Sequence, residues 1–242
     1  MARPPVALVT GSTRGIGAQI AIALGERGVG VIGHGTRDRG DAIGADLSEP
    51  GAPQELWEEA LRCAEQAGEH RIDILINNAG LFAANPIDAS DIAWLDGWEE
   101  TLRINLTAAA QLSRFAVRRW LEDGRGGRIV NIASRAAHRG DSPDHWHYAA
   151  AKAGMVALTK TVARSYAADG VLAFAVCPGF TDTSTADDCL ASRGGPQLLA
   201  EIPLGRVATA QEIATIAAFC ALDAPPSMTG AVLDANGASY VR

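Results

Sequence analysis

The chain has 242 residues (25.2 kDa), long for one average domain and short for two, and its 48% hydrophobic share can bury a substantial core without disulfide or metal staples. Lys and Arg number 21 against 28 Asp and Glu; the net charge of −7 and pI near 5.2 exclude the broad basic face that sequence-independent nucleic-acid binding needs. Aromatic residues are only 5% and glycines number 26, a balance that favours tight helix–sheet packing over a β-sandwich.

Strands and helices alternate from the start. Residues 6–10 (VALVT) read as a short strand, and residues 15–27 place Ile16, Ile20, Ala23 and Leu24 on one helical face. Residues 30–34 form a second predicted strand, 42–45 a weaker third, 53–67 a helix and 72–77 (IDILIN) a buried strand. A long amphipathic helix is predicted over residues 98–121, ended by Asp-Gly-Arg-Gly-Gly. A strand at 128–133, a helix at 148–168 and a strand at 171–177, stopped by Pro178-Gly179, follow. A helix at 211–222 and a last strand at 231–234 complete the pattern. The expected fold class is α/β: a doubly wound parallel sheet of about seven strands with helices on both faces, forming a single domain over residues 1–242.

Met-Ala-Arg-Pro-Pro runs directly into a short apolar stretch, with no signal-like apolar region and cleavage site, and no window reaches the length of a membrane helix. The expectation is a cytoplasmic protein with neither membrane nor nucleic-acid partners. Cys63, Cys177, Cys189 and Cys220 are scattered, with no CxxC and no His at ligand spacing. They read as small buried thiols in a reducing compartment, and no metal site is expected.

Between the first strand and first helix lies Thr10-Gly11-Ser12-Thr13-Arg14-Gly15-Ile16-Gly17. Glycines there permit a tight turn and let a pyrophosphate approach the backbone, while the helix N-terminus offers unpaired N–H groups. The spacing is TGxxxGxG, and no GK[ST] follows, which argues against a nucleoside-triphosphate P-loop.

This turn, with Asn77-Asn78-Ala79-Gly80 after the fourth strand, Ser134, Tyr148-Ala-Ala-Ala-Lys152 and Pro178-Gly179, resembles the short-chain dehydrogenase/reductase family in order and spacing over essentially the whole chain. Within it the pattern looks most like the 3-oxoacyl-(acyl-carrier-protein) reductase group. The resemblance implies a Rossmann-type fold, NAD(H) or NADP(H) as cofactor, and interconversion of an alcohol and a carbonyl. It implies a dinucleotide site of Gly11, Ser12, Arg14, Gly15, Ile16, Gly17, Arg37, Asp46, Leu47, Asn78, Ala79, Gly80, Tyr148, Lys152, Pro178, Gly179 and Thr183, with Asn77 bracing the sheet. A homotetramer is implied too, with the helices carrying Asn105 and Tyr148 as interface elements.

An acid ending the second strand would accept the ribose 2′-hydroxyl and repel a 2′-phosphate. Here the chain reads Ile32-Gly33-His34-Gly35-Thr36-Arg37, with no acid before Asp38. Arg14 and Arg37 suit a 2′-phosphate, so NADP(H) is favoured, with NAD(H) left open.

Tyr148 and Lys152, four apart on a helix, share one face. A carbonyl oxygen that becomes an alkoxide needs a proton donor, and a phenol with a pKa of about 10 is a poor shuttle until a neighbouring ammonium lowers it. Ser134 would hydrogen-bond the substrate oxygen. By resemblance Asn105 loosens its helix and helps hold a water relaying protons to Lys152. His145 and His147 read as pocket walls. Arg118, Arg119, Arg125, Arg128 and Arg139 are candidates for a basic patch facing an acyl carrier. Reduction of a 3-oxoacyl thioester is the leading expectation. A sugar or small-alcohol dehydrogenase is the alternative, and a non-catalytic dinucleotide sensor is the reading from another class. Substrate recognition is expected from residues 81–96, 136–147 and 184–203. The final strand departs from the family's Asp-Gly-Gly, reading Asp234-Ala235-Asn236-Gly237-Ala238, so the second glycine is replaced.

Overall fold

The computed structural model describes residues 3–40, 42–182 and 199–242. In chain order the strands are β1 (Val6–Val9), β2 (Gly30–Gly35), β3 (Ala42–Gly44), β4 (Ile74–Asn77), β5 (Gly127–Ile132), β6 (Val171–Pro178), β7 (Thr181–Asp182), β8 (Ala208–Thr209) and β9 (Val232–Ala235). Seven of them form one sheet in the order β3-β2-β1-β4-β5-β6-β9, every pair parallel, and β7 and β8 make a separate parallel pair. The helices are α1 (Gly15–Gly25), α2 (Ala52–Gln66), α3 (Asp91–Leu102), α4 (Ala108–Glu122), α5 (Ala136–Arg139), α6 (Trp146–Tyr166) and α7 (Ala210–Leu222). Among the described residues no helix is long and apolar enough to cross a membrane.

Burial on both faces explains why residues 74–76 of β4 and 171–177 of β6 are continuous apolar runs. On one face Ile20 and Leu24 of α1 and Ile213 and Ala217 of α7 cover Val9, Ile76 and Phe174. Alanines at 214, 217, 218 and 221 let α7 lie close. On the other face Leu56 and Trp57 of α2 and Leu112 and Trp120 of α4 cover Leu8, Leu75 and Ile129. Each such aliphatic side chain contributes roughly 1.5–3 kcal/mol on burial. The Trp120 indole N–H donates to the Ile72 carbonyl at 2.7 Å, so its polar edge is satisfied.

A buried polar chain crosses this apolar layer. Asn77 Nδ2 donates to Ser113 Oγ (3.1 Å) and Asn131 Oδ1 (2.8 Å), and Asn131 Nδ2 donates to Thr159 Oγ1 (2.8 Å). It joins α4, β4, β5 and α6, which is the bracing role expected of Asn77.

One helix boundary differs from the sequence expectation. The long helix begins at Asp91 rather than residue 98, with Ser90 Oγ capping Ala93 N–H at 3.3 Å. Gly97 hides this start in the sequence, but a Cβ there would sit 3.0 Å from Asn85 Oδ1, so close approach requires the glycine. The same helix is interrupted by a π-helical turn at Arg103–Thr107 that contains Asn105.

The replaced C-terminal glycine leaves a trace. Ala238 has φ +62°, the one positive value at a non-glycine among the described residues. A Cβ in that region costs roughly 1–2 kcal/mol. Ala238→Gly is expected to raise stability by about 1 kcal/mol, less the entropy that glycine restores to the unfolded chain. Urea denaturation checks this; an unchanged or lower midpoint would remove the strain claim.

Candidate active site

The sheet order reverses at β1: the chain leaves β1 through α1 on one face and leaves β4 through α4 on the other, and ligands of such sheets bind beyond the carboxyl ends of the strands at that reversal. A cleft of about 350 Å³ lies there, lined by Gly11, Arg14, Gly15, Ile16, Gly17, Asp46, Leu47, Asn78, Ala79 and Gly80 among others. These are ten of the residues expected at the dinucleotide.

The turn is shaped for close approach. Gly11 and Gly15 have φ +64° and +56°. A Cβ on Gly17 would lie 2.2 Å from the Gly11 carbonyl oxygen, so any side chain there displaces the turn. The α1 N-terminus has no side-chain cap and no acid in its first turn, leaving its N–H groups and positive potential to an anion. Glycine cradle, bare helix end and cleft together fit a dinucleotide pyrophosphate.

The side chain of Asn78 points back into the fold. Its Nδ2 donates to the Thr10 and Gly11 carbonyls (2.9 and 3.1 Å), while Thr10 Oγ1 accepts from the N–H groups of Asn78 and Ala79 (2.9 and 3.0 Å). Asn78 therefore fixes the turn from behind. Ser12 is likewise spent on backbone: its Oγ accepts from His34 N–H at 2.9 Å, and it does not line the cleft. Arg14 lines the cleft from the N-cap of α1, whereas Arg37 is exposed and outside the lining. Asp38 is tied down by accepting the Gly44 N–H at 2.8 Å. Asp46 Oδ1 takes both the N–H and Oγ–H of Ser48, which lowers its pKa. Thr183 lies outside the described residues.

His34 is a further residue of the cleft lining, and nothing adjacent in the sequence points to its role. It is 3% exposed; Nδ1 accepts the Gly11 N–H at 3.1 Å and Nε2 reaches the Ala45 carbonyl at 2.9 Å. This pattern fixes the neutral tautomer with hydrogen on Nε2, and burial lowers the pKa. The ring spans the cleft wall from the glycine turn to the end of β3. His34→Leu leaves two backbone groups without partners, at about 1–3 kcal/mol each. We expect the Kd for the dinucleotide to rise about tenfold or more with kcat little changed. Equal affinity in a fluorescence titration would refute this.

At the other end of the crevice stand Ser134, just past β5, and Tyr148 and Lys152 in the first turns of α6. Lys152 is 4% exposed and donates from Nζ to the Ile132 carbonyl at 2.8 Å. Burial pulls its pKa down to about 8. Nζ lies 5.8 Å from the centre of the Tyr148 ring. Tyr148 is half-buried, and the Phe82 ring meets it edge-on at 4.7 Å. Ser134 Oγ accepts the Ala136 N–H at 3.1 Å, which orients the hydroxyl while its own hydrogen can still donate.

Asn105 is fully buried and clamps Leu81, with Oδ1 accepting its N–H (2.6 Å) and Nδ2 donating to its carbonyl (2.8 Å). The π-turn is the loosening expected of this residue. Gly80 sits between the two centres: a Cβ there would be 3.3 Å from Asn105 Oδ1 and 3.6 Å from Lys152 Nζ. Pro178 accepts the Arg135 N–H at 2.9 Å, and Gly179 packs so tightly that a Cβ would be 2.9 Å from Asn236 Cα.

Beside Ser134 and Tyr148 a second cavity of about 580 Å³ is lined by Arg135, Arg139, Asp141, Ser142, His145 and Glu201, among others. His145 stacks on Phe82 (centroids 4.1 Å) and its Nδ1 contacts Ser142 Oγ at 2.7 Å. His147 is buried and bonds the Ala83 backbone. His145 lines this cavity, whereas His147 lies outside its lining. The arginine patch is not assembled. Arg118 and Arg119 lie in the last turns of α4, Arg125 in the loop after it and Arg128 at the start of β5, at the amino ends of the strands, opposite the site. Arg128 is spent on the Cys220 and Ala224 carbonyls, and only Arg139 borders the cavity.

Residues 11–237 match the family described as enoyl-(acyl carrier protein) reductase. The 3-oxoacyl-[acyl-carrier-protein] reductase FabG of Escherichia coli (strain K12) is 36% identical over 252 residues, covering 98% of this chain and 97% of that protein. FabG of Haemophilus influenzae is 37% identical, with 98% of each chain covered. A solved structure from Agrobacterium tumefaciens, provisionally assigned as a 2-deoxy-D-gluconate 3-dehydrogenase and holding NADP, superposes with a TM-score of 0.84 at 29% identity, covering 98% of this chain and 97% of that one. Another from Beutenbergia cavernae, provisionally an NAD(P)-dependent gluconate 5-dehydrogenase with NADP at low occupancy, gives 0.84 at 32% identity and covers 96% and 95%. The chain belongs to the short-chain dehydrogenase/reductase family of oxidoreductases.

Proposed function

We infer that the protein is an NADP(H)-dependent oxidoreductase that interconverts a carbonyl and a secondary alcohol, with a 3-oxoacyl thioester as the leading substrate class. The observation that carries it is the buried Lys152 ammonium beside the Tyr148 ring at the end of a glycine-lined cleft. The dinucleotide supplies or accepts the hydride. The chain does the rest: Ser134 donates a hydrogen bond to the substrate oxygen, and the Tyr148 hydroxyl gives the proton that the nascent alkoxide takes. Lys152 stabilises the phenolate left behind, and the Asn105 turn sits on the route that returns a proton to Lys152.

The absence of an acid lining the cleft at the end of β2, with Arg14 in the lining, supports NADP(H) over NAD(H). Arg14→Ala should weaken NADPH much more than NADH, since an arginine–phosphate pair is bidentate and charge-assisted. Arg37→Ala, an exposed position, is the companion variant. An unchanged NADPH/NADH ratio in both removes the 2′-phosphate assignment.

A sugar-acid or small-alcohol substrate is favoured by one observation, the polar lining of the cavity beside Tyr148. Acetoacetyl thioester reduction with NADPH, set against oxidation of aldonates with NADP+, separates the two. Turnover of neither with either cofactor, under conditions where the dinucleotide binds, would favour a sensing protein. A cytoplasmic homotetramer completes the reading. Exposed Ile92 and Leu95 on α3 and Trp146 at the start of α6, with Trp146 6.4 Å from Trp94, support a covered face on these helices.

A further inference from the structure

Cys177 ends the apolar part of β6, directly before Pro178, and is fully buried. No histidine lies near it in sequence, yet the fold brings His138 of α5 to it, with Nε2 3.7 Å from Sγ. Asp234 of β9 completes a group whose three ligand atoms lie within 4.8 Å of one another, the one such grouping of His, Cys, Asp or Glu among the described residues. Three separate elements thus deliver one nitrogen, one sulfur and one oxygen to a common point.

We propose that His138, Cys177 and Asp234 form a binding site for a divalent ion of the zinc class, with three protein ligands and a further position open to water. Bonds of about 2.3 Å to sulfur and about 2.0–2.1 Å to nitrogen at a tetrahedral angle separate the two ligands by roughly 3.6 Å. The observed 3.7 Å is nearly that value. Asp234 needs a carboxylate shift on the order of 1 Å to close the third side. One of its oxygens, Oδ2, accepts the Arg242 Nε–H at 2.8 Å, which orients the carboxylate as an outer partner does for a metal ligand. Mixed nitrogen, sulfur and oxygen donors suit zinc rather than magnesium or calcium, which take oxygen.

The surroundings allow entry. Asp234 and Arg242 line a cavity of about 550 Å³ together with Tyr240, whose ring faces His138 in parallel at 5.9 Å. The Cys177 thiol must lose its proton to ligate: thiol plus M2+ gives metal thiolate plus H+. Affinity therefore rises with pH. The ion would tie α5, which begins just after Ser134, to the ends of β6 and β9.

The test uses the full chain, stripped with a chelator and titrated with Co2+ as an absorbing stand-in for Zn2+. We expect one equivalent per chain, a thiolate-to-cobalt charge-transfer band, release of about one proton, and displacement by Zn2+. Cys177→Ser should abolish the band. His138→Ala and Asp234→Asn should each weaken binding by more than the roughly 10–100-fold that loss of an outer partner costs. His138 and Asp234 are only partly buried or exposed, so these variants keep the test valid if Cys177→Ser fails to fold. No charge-transfer band, a band that survives in Cys177→Ser, or affinity unchanged in both other variants would overturn the site and leave a plain thiol–imidazole contact.

Discussion

Tyr148→Phe is expected to lower turnover by about 10²–10⁴-fold or more, the range that a positioned general acid contributes. The substitution removes one oxygen and keeps the ring. Phe82 still meets that ring edge-on at 4.7 Å, and Lys152 still holds the Ile132 carbonyl, so neither packing nor the cleft is altered. Loss should fall on kcat, with the dinucleotide Kd within about twofold of wild type and the denaturation midpoint unchanged. That separation distinguishes a proton donor from a packing residue. Ser134→Ala should be the milder lesion, because it removes a hydrogen-bond donor to the oxygen and leaves the proton source. Turnover in Tyr148→Phe close to wild type would sink the assignment, and parallel losses in kcat and binding would reduce Tyr148 to a structural role.

What could be read from the sequence was what short-range spacing encodes. The glycine turn, the four-residue interval from Tyr148 to Lys152 and the strand ending at Pro178 each lie within a few residues, and helix or strand periodicity fixes how their side chains point. Asn105 was legible as a misfit, since asparagine is a poor mid-helix residue; its partner Leu81 was not, because 24 residues separate them. His34 is hidden in the sequence because its two partners, Gly11 and Ala45, meet only when β2 lies between β1 and β3. The arginine patch is not assembled for the converse reason: nearness along the chain at residues 118–128 puts those side chains at the amino ends of the strands, away from the site. His138 and Cys177 follow the same rule. They come from the connections after β5 and along β6, adjacent parallel strands whose 39-residue separation hides the contact.

Lys152 gives the second large effect, and it links catalysis to stability. Burial lowers its pKa to about 8 from an ordinary value near 10.5. Between those values the unfolded chain carries a proton that the native protein lacks, so stability rises with pH across that window and is lower where the native ammonium must be charged. Holding that charge at neutral pH costs on the order of 3 kcal/mol. It persists because the charged form does the work of stabilising a phenolate. Lys152→Met should therefore lose roughly 10²-fold or more in reduction while being no less stable at pH 7, since it removes a buried charge along with one hydrogen bond. In the wild type, kcat/KM for NADPH, which reports groups of the free enzyme, should fall as pH rises through about 8. Lys152→Met should lack that limb, and its stability should be flatter than wild type over the same window. A wild-type rate that holds constant well above this pH, or a variant that unfolds more easily, would show that Lys152 serves the fold rather than the proton.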